Sequence, residues 1–122
     1  MPVPWSGTAP PYGFGGAEGS QPWIPQPTDW AGLTVAAQQA DPDSTLAFYR
    51  RALTARRAVF AGADETTVAE SEDDVLVVRR AGVTVVVNTG VEPVALPVGE
   101  VLISSGPLPG GVLPPDTAAW IR

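Results

Sequence analysis

Apolar and polar positions change their period as the chain proceeds. Leu46, Tyr49, Leu53 and Phe60 stand three, four and seven residues apart, the spacing that gathers side chains on one face of an α-helix. Ahead of them, Asp41-Pro42-Asp43-Ser44 offers a capping residue, a proline suited to a first helical turn, and acidic groups that complement the positive end of the helix dipole. Arg50, Arg51, Arg56 and Arg57 gather in the later turns, where cations oppose the negative end. The spacing predicts a helix over 42–58, stopped by Ala61-Gly62-Ala63. Beyond Gly62 the period changes: 75–80, 83–88, 93–97, 101–104 and 117–121 are short runs rich in β-branched and aromatic residues, separated by turn residues. Ala81-Gly82 suits a hairpin turn, Asn88-Thr89-Gly90 tolerates positive φ, and Thr66 to Ala69 forms an extra strand. Several short strands at regular spacing predict a small antiparallel β-sandwich.

Residues 1–33 follow neither period. They hold seven of the 14 prolines, six of the 13 glycines and three of the four tryptophans. Disordered segments are poor in aromatics, whereas Trp5, Tyr12, Phe14, Trp23 and Trp30 recur through this one, so it is expected to be a long loop that packs on something. The predicted fold class is therefore mainly β with one N-terminal α-helix.

Composition narrows the chemistry. The 122 residues contain no His, no Cys and no Lys, which removes Ser-His-Asp and Cys-His nucleophile systems, zinc sites of the usual ligands and Schiff-base chemistry. Carboxylates, hydroxyls and arginine remain. A net charge of −6 argues against nucleic acid or an anionic membrane surface as a partner. No run approaches the ~20 apolar residues of a membrane span and no secretory signal follows Met1, so a cytoplasmic location is expected.

Each candidate motif has a plain reading beside its chemical one. Asp64, Glu65, Glu70, Glu72, Asp73 and Asp74 could supply a calcium site or a carboxylate pair, but the spacing lacks the calcium-loop pattern, and a solvated acidic loop ahead of a strand accounts for them. The helix arginines could clamp a phosphate or carboxylate, but dipole compensation and pairing with nearby acids is the reading preferred for them. Trp5, Trp23 and Trp30 could stack on sugar rings or pin the loop to a core. Pro10-Pro11-Tyr12 and Pro25-Gln26-Pro27 are read as loop stiffeners. No metal and no cofactor is assigned.

The order of the motifs carries more than any one of them. Pro2-Val3-Pro4-Trp5, Gly13-Phe14, Pro22-Trp23-Ile24-Pro25, Ala40-Asp41-Pro42-Asp43-Ser44-Thr45-Leu46 and Phe48-Tyr49-Arg50 resemble the closing part of α-glucosidases of the oligo-1,6-glucosidase/maltase type, in the α-amylase superfamily of glycoside hydrolases. Val85-Val-Val-Asn-Thr89 with Val94-Ala-Leu-Pro97, Gly99 through Gly106, and Leu113 through Ile121 resemble strands of that family's C-terminal β domain. The resemblance implies that 1–60 form an irregular loop and the final helix of a (β/α)8 barrel, and that 61–122 form a C-terminal β-sandwich. It also implies that Trp5 lies near the barrel mouth as the candidate substrate-binding residue, bordering the aglycone side of an α-glucoside.

The family's nucleophile, acid/base and stabilising carboxylates all precede the matched region, and the first acidic residue here is Glu18. No residue is therefore assigned a catalytic role. The implied partner is a catalytic barrel of ~250 residues absent from this chain, and the frame is expected to be truncated or misstarted from a longer α-glucosidase. The expected function is a non-catalytic portion that packs on and stabilises that barrel. A stand-alone carbohydrate-binding or scaffolding β module is the alternative.

Overall fold

The computed structural model describes residues 2–15, 22–62, 65–69 and 74–122. They divide into two units, Met1–Arg51 and Ala52–Arg122, with the division inside the main helix.

In the first unit an irregular segment is held by its own backbone. The amide nitrogens of Trp5 and Ser6 donate to the Tyr12 carbonyl at 2.8 and 3.0 Å. Gly13 turns the chain at φ +70, and a Cβ there would stand 2.8 Å from Ser6 Oγ. A 3-10 turn over Trp30–Leu33 leads into α1, Val35–Ala40, which the hydrophobic spacing had not indicated. Six residues are too few to show a 3.6 period, and what holds α1 is its start. Thr34 Oγ1 accepts from Ala37 N at 3.2 Å, and the amides of Val35 and Ala36 donate to the carbonyls of Pro4 and Trp5 at 2.9 Å each. Three donors that a helix start leaves open are thus satisfied, two of them by the irregular loop.

The main helix, α2, spans Thr45–Phe60, three residues later at its start and two later at its end than the pattern predicted. Ser44 is the cap: its Oγ accepts from Ala47 N at 3.2 Å and donates to the carbonyls of Gln38 and Asp41. Asp41 Oδ1 accepts from Asp43 N, closing a turn in front of the helix, so Pro42 lies in that turn instead of the first helical turn. Its carbonyl accepts from Arg51 Nη1 at 2.7 Å. Gly62, at φ +74, follows the end of α2.

The second unit is β. A five-stranded sheet runs β1–β2–β3–β7–β5, with β1 Thr67–Ala69, β2 Val75–Arg80, β3 Val83–Asn88, β5 Val101–Ser104 and β7 Thr117–Ile121, each neighbouring pair antiparallel. A smaller pair joins β4, Val94–Ala95, to β6, Val112–Leu113. The residues predicted for 75–80, 83–88, 101–104 and 117–121 form those strands, 93–97 shrinks to two residues, and β6 had no separate signal. The β2–β3 hairpin turns through Ala81 and Gly82 at φ 51 and 73, as the primed turns of tight hairpins require. Positive φ does not occur at Asn88 to Gly90; there the Asn88 side chain accepts from Gly90 N and makes the turn.

Register fixes which residues share a face. Val77, Val86 and Ala119 lie opposite one another across β2, β3 and β7. They face the core of Val86, Leu113, Ala119 and Ile121, on which Val75, Val94, Leu96 and Leu108 also pack. The small β4–β6 sheet covers that face through Leu113 and Val94, giving two β layers. Val78, Val85 and Trp120 share the opposite face.

Candidate functional site

Trp5, the residue singled out for substrate contact, is half exposed, its backbone bonded on one side to Tyr12 and on the other to Ala36. Trp23 stands almost wholly in solvent at 98 % exposure. Neither pins the loop. Tyr12 does: it is 1 % exposed, its hydroxyl donates to the Pro27 carbonyl at 3.1 Å, and the hydroxyl oxygen accepts from Trp30 N at 3.2 Å. The irregular segment thus packs around a tyrosine and leaves Trp5 and Trp23 as accessible aromatic surface.

Two concave sites are formed by residues that no catalytic motif marked. One is a pocket of about 160 Å³ walled by Pro10, Pro11, Pro22, Pro25 and Gln26. The other is an open groove of about 550 Å³ in the second unit, lined by Arg56, Arg57, Phe60, Ala61, Thr66, Val78, Arg80 and Val85. Phe60 meets Trp120 edge-on, ring centroids 5.3 Å apart, which seats the end of α2 on the face that carries Val78 and Val85. Arg80 donates to Thr66 Oγ1 at 2.7 Å at one side of the groove. An apolar floor under arginines matches the make-up of a protein contact surface, in which arginine and aromatics are enriched.

Among the described residues, no carboxylate occupies either place. Asp29, Asp41, Asp43, Glu65, Asp74, Glu92, Glu100 and Asp116 are all exposed, and none lines the pocket or the groove. Of the acidic cluster, Asp64, Glu70, Glu72 and Asp73 lie outside the described residues. Among the described ones, no group of three or more His, Cys, Asp or Glu could hold a metal ion. Glycoside cleavage by a carboxylate pair needs two such groups facing one ring across roughly 5–10 Å, and no described carboxylate lines either concavity. No described helix is long and apolar enough to cross a membrane.

No family model matches the chain, and no curated protein sequence matches it. Among solved structures, the α-glucosyl transfer enzyme XgtA is similar to it with a TM-score of 0.67 and 28% identity, over 100% of this chain and 25% of that one. A candidate α-amylase from Salmonella typhimurium gives 0.48 and 21% over 79% of this chain and 20% of its own, too distant to bear on the fold. The chain therefore spans about a quarter of the length of the solved enzyme it matches. The likeness is to part of a larger enzyme.

Proposed function

We propose that this chain is the non-catalytic closing portion of an α-glucosidase or α-glucosyl transfer enzyme, and that it packs on and stabilises a catalytic (β/α)8 barrel. The observation that carries the reading is the likeness to XgtA, which takes in the whole of this chain and a quarter of that enzyme. On this reading 1–60 supply the loop and final helix of the barrel, 61–122 the C-terminal β domain, and Trp5 borders the aglycone side of an α-glucoside. The oligo-1,6-glucosidase/maltase type and a cytoplasmic location belong to the same proposal.

The distribution of buried groups supports it. In the first unit Tyr12 is the sole buried apolar residue among those described, while Trp5, Trp23, Ile24, Leu33 and Tyr49 are exposed. On α2, Leu53 is exposed as well, and no described residue of that helix is buried, although its apolar face is well spaced. A helix whose apolar face meets water is one whose partner lies elsewhere. The isolated chain is therefore expected to bind an apolar dye such as anilinonaphthalene sulfonate strongly and to release no nitrophenol from 4-nitrophenyl α-glucoside. A monomer that binds no dye, or any turnover that survives repurification, sinks the reading.

A further inference from the structure

The groove at the end of α2 brings cations beside apolar surface. Arg56 and Arg57, near the end of the helix, line it and are exposed. Neither makes an ion pair with a described acid, although the chain carries 13 acidic residues against 7 arginines. The strand side is set by register. Val78 stands opposite Val85 across β2 and β3, Val85 stands opposite Trp120, and Trp120 meets Phe60 of the helix. Alternation along β2 returns Arg80 to the face of Val78, where its Nη1 donates to Thr66 Oγ1 at 2.7 Å. Arg80 is thus engaged as part of the wall, and Arg56 and Arg57 are the lining guanidiniums open to solvent.

Charge defines the head of what fits. No described carboxylate lines the groove, and the negative end of the α2 dipole, about half a charge, is outweighed by two arginines. Guanidinium forks match the oxygens of a carboxylate or a phosphate. The floor defines the body: Phe60, Val78 and Val85 offer side-chain surface without a donor or acceptor. Size separates a small ligand from a protein partner. Small-molecule sites span about 300–1,000 Å³, which takes in the groove of about 550 Å³. Arginine over apolar surface also occurs at protein contacts, but a standard one engages about 20–30 residues a side, and eight described residues line this groove. We propose that the groove binds a small organic anion, whose apolar ring or chain lies on Phe60, Val78 and Val85 and whose carboxylate or phosphate is held by Arg56 and Arg57. The inference uses residues of the second unit alone and does not rest on the enzyme reading above.

The test follows the Nε–H resonances of Arg56 and Arg57 and the backbone amides of Val78 and Val85 in the 15N-labelled full chain. Salt is kept on the order of 10 mM, where exposed charges are little screened. The probes are 3-phenylpropionate, phenyl phosphate, inorganic phosphate and 3-phenylpropanol. Saturable shifts at both sets of resonances are expected with at least one of the two aromatic anions, with half-saturation on the order of 1 mM for ligands of about a dozen non-hydrogen atoms. Which of them binds tells a carboxylate from a phosphate head. Inorganic phosphate lacks the body and 3-phenylpropanol the charge, so each is expected to bind at least about tenfold more weakly. The double variant Arg56→Gln, Arg57→Gln alters two exposed side chains and is expected to keep the fold, to bind the aromatic anion about tenfold more weakly and to leave the alcohol unaffected. Absence of shifts at about a hundred times the expected half-saturation overturns the proposal. So does inorganic phosphate or the alcohol binding as well as the aromatic anions, and so does undiminished binding by the double variant. A response to a peptide of alternating Glu and Phe, with none to either aromatic anion, would assign the groove to a protein partner and overturn it too.

Discussion

Asn88 Nδ2 donates to the carbonyl oxygen of Leu113 at 3.2 Å, joining the end of the central strand β3 to the small sheet that covers the core. The same nitrogen donates to the Glu92 carbonyl at 2.8 Å, and Oδ1 accepts from Gly90 N at 2.9 Å, so the fully buried amide is used at both ends. Asn88→Ala strands these backbone groups and is expected to lower the stability of the chain by about 2–4 kcal/mol in urea unfolding. Asn88→Asp, which turns a carboxylate oxygen toward two carbonyls, is expected to cost at least as much. A loss below about 0.5 kcal/mol for both would remove Asn88 as the tie between the sheets.

Gly99 lies against the C-terminal strand. A Cβ there would collide with the Arg122 carbonyl oxygen and come within 2.6 Å of Ile121 Cγ2. That carbonyl also accepts from Glu100 N at 2.8 Å, so the backbone has little freedom to retreat. Gly99→Ala is expected to lower the thermal midpoint by several degrees, equivalent to about 2 kcal/mol or more. Gly110→Ala is the comparison, because nothing stands within 4 Å of its Cβ position, although its φ of +64 makes a smaller cost unavoidable. Equal losses at the two sites would mean that close approach at Gly99 is not the cause.

Phe60 is the last residue of α2 and meets Trp120 across the sheet face. Since Phe60 is half-buried, Phe60→Ala is expected to cost about 2 kcal/mol, below the range for a fully buried ring. Trp120 would then see more water, and the tryptophan emission is expected to move to the red and to lose that shift in Phe60→Leu. An unchanged spectrum in Phe60→Ala would place the ring pair outside the packing of this unit.

Ser44→Ala tests the helix start. The variant loses the cap of Ala47 N and the hydroxyl donor to Gln38 and Asp41, and about 1–2 kcal/mol of stability is expected to go with them. Ser44→Thr, which keeps the hydroxyl, is expected to recover most of it. Failure of that recovery would assign the loss to something other than the cap.

Strands and main helix were legible because their periods are long enough to count. Val83-Thr-Val-Val-Val-Asn88 reads as a β-branched run ended by a turn residue, and it forms the middle strand of the sheet. α1 was not legible, since its start depends on carbonyls of Pro4 and Trp5 that lie about thirty residues earlier. β6 was hidden for a related reason: two residues between Gly111 and Pro114 carry no alternation, and Leu113 is a core residue only because β4 pairs beside it. At the site, aromatic residues drew attention to Trp5, while the pocket is formed by residues that read as loop stiffeners. The groove was hidden because only the register of β2 and β3 sets Val78 beside Val85, and no period along the chain places that pair next to Arg56 and Arg57.

The most direct test of the account is the mass and peptide content of the native product that carries this sequence, by immunoblot and mass spectrometry on its source cells. Because the chain covers 25% of XgtA, the account predicts a product about four times larger, with peptides from upstream of Met1 and α-glucosyl transfer or hydrolysis co-purifying with it. A native product of 12.6 kDa, with no larger species sharing its peptides, would contradict it.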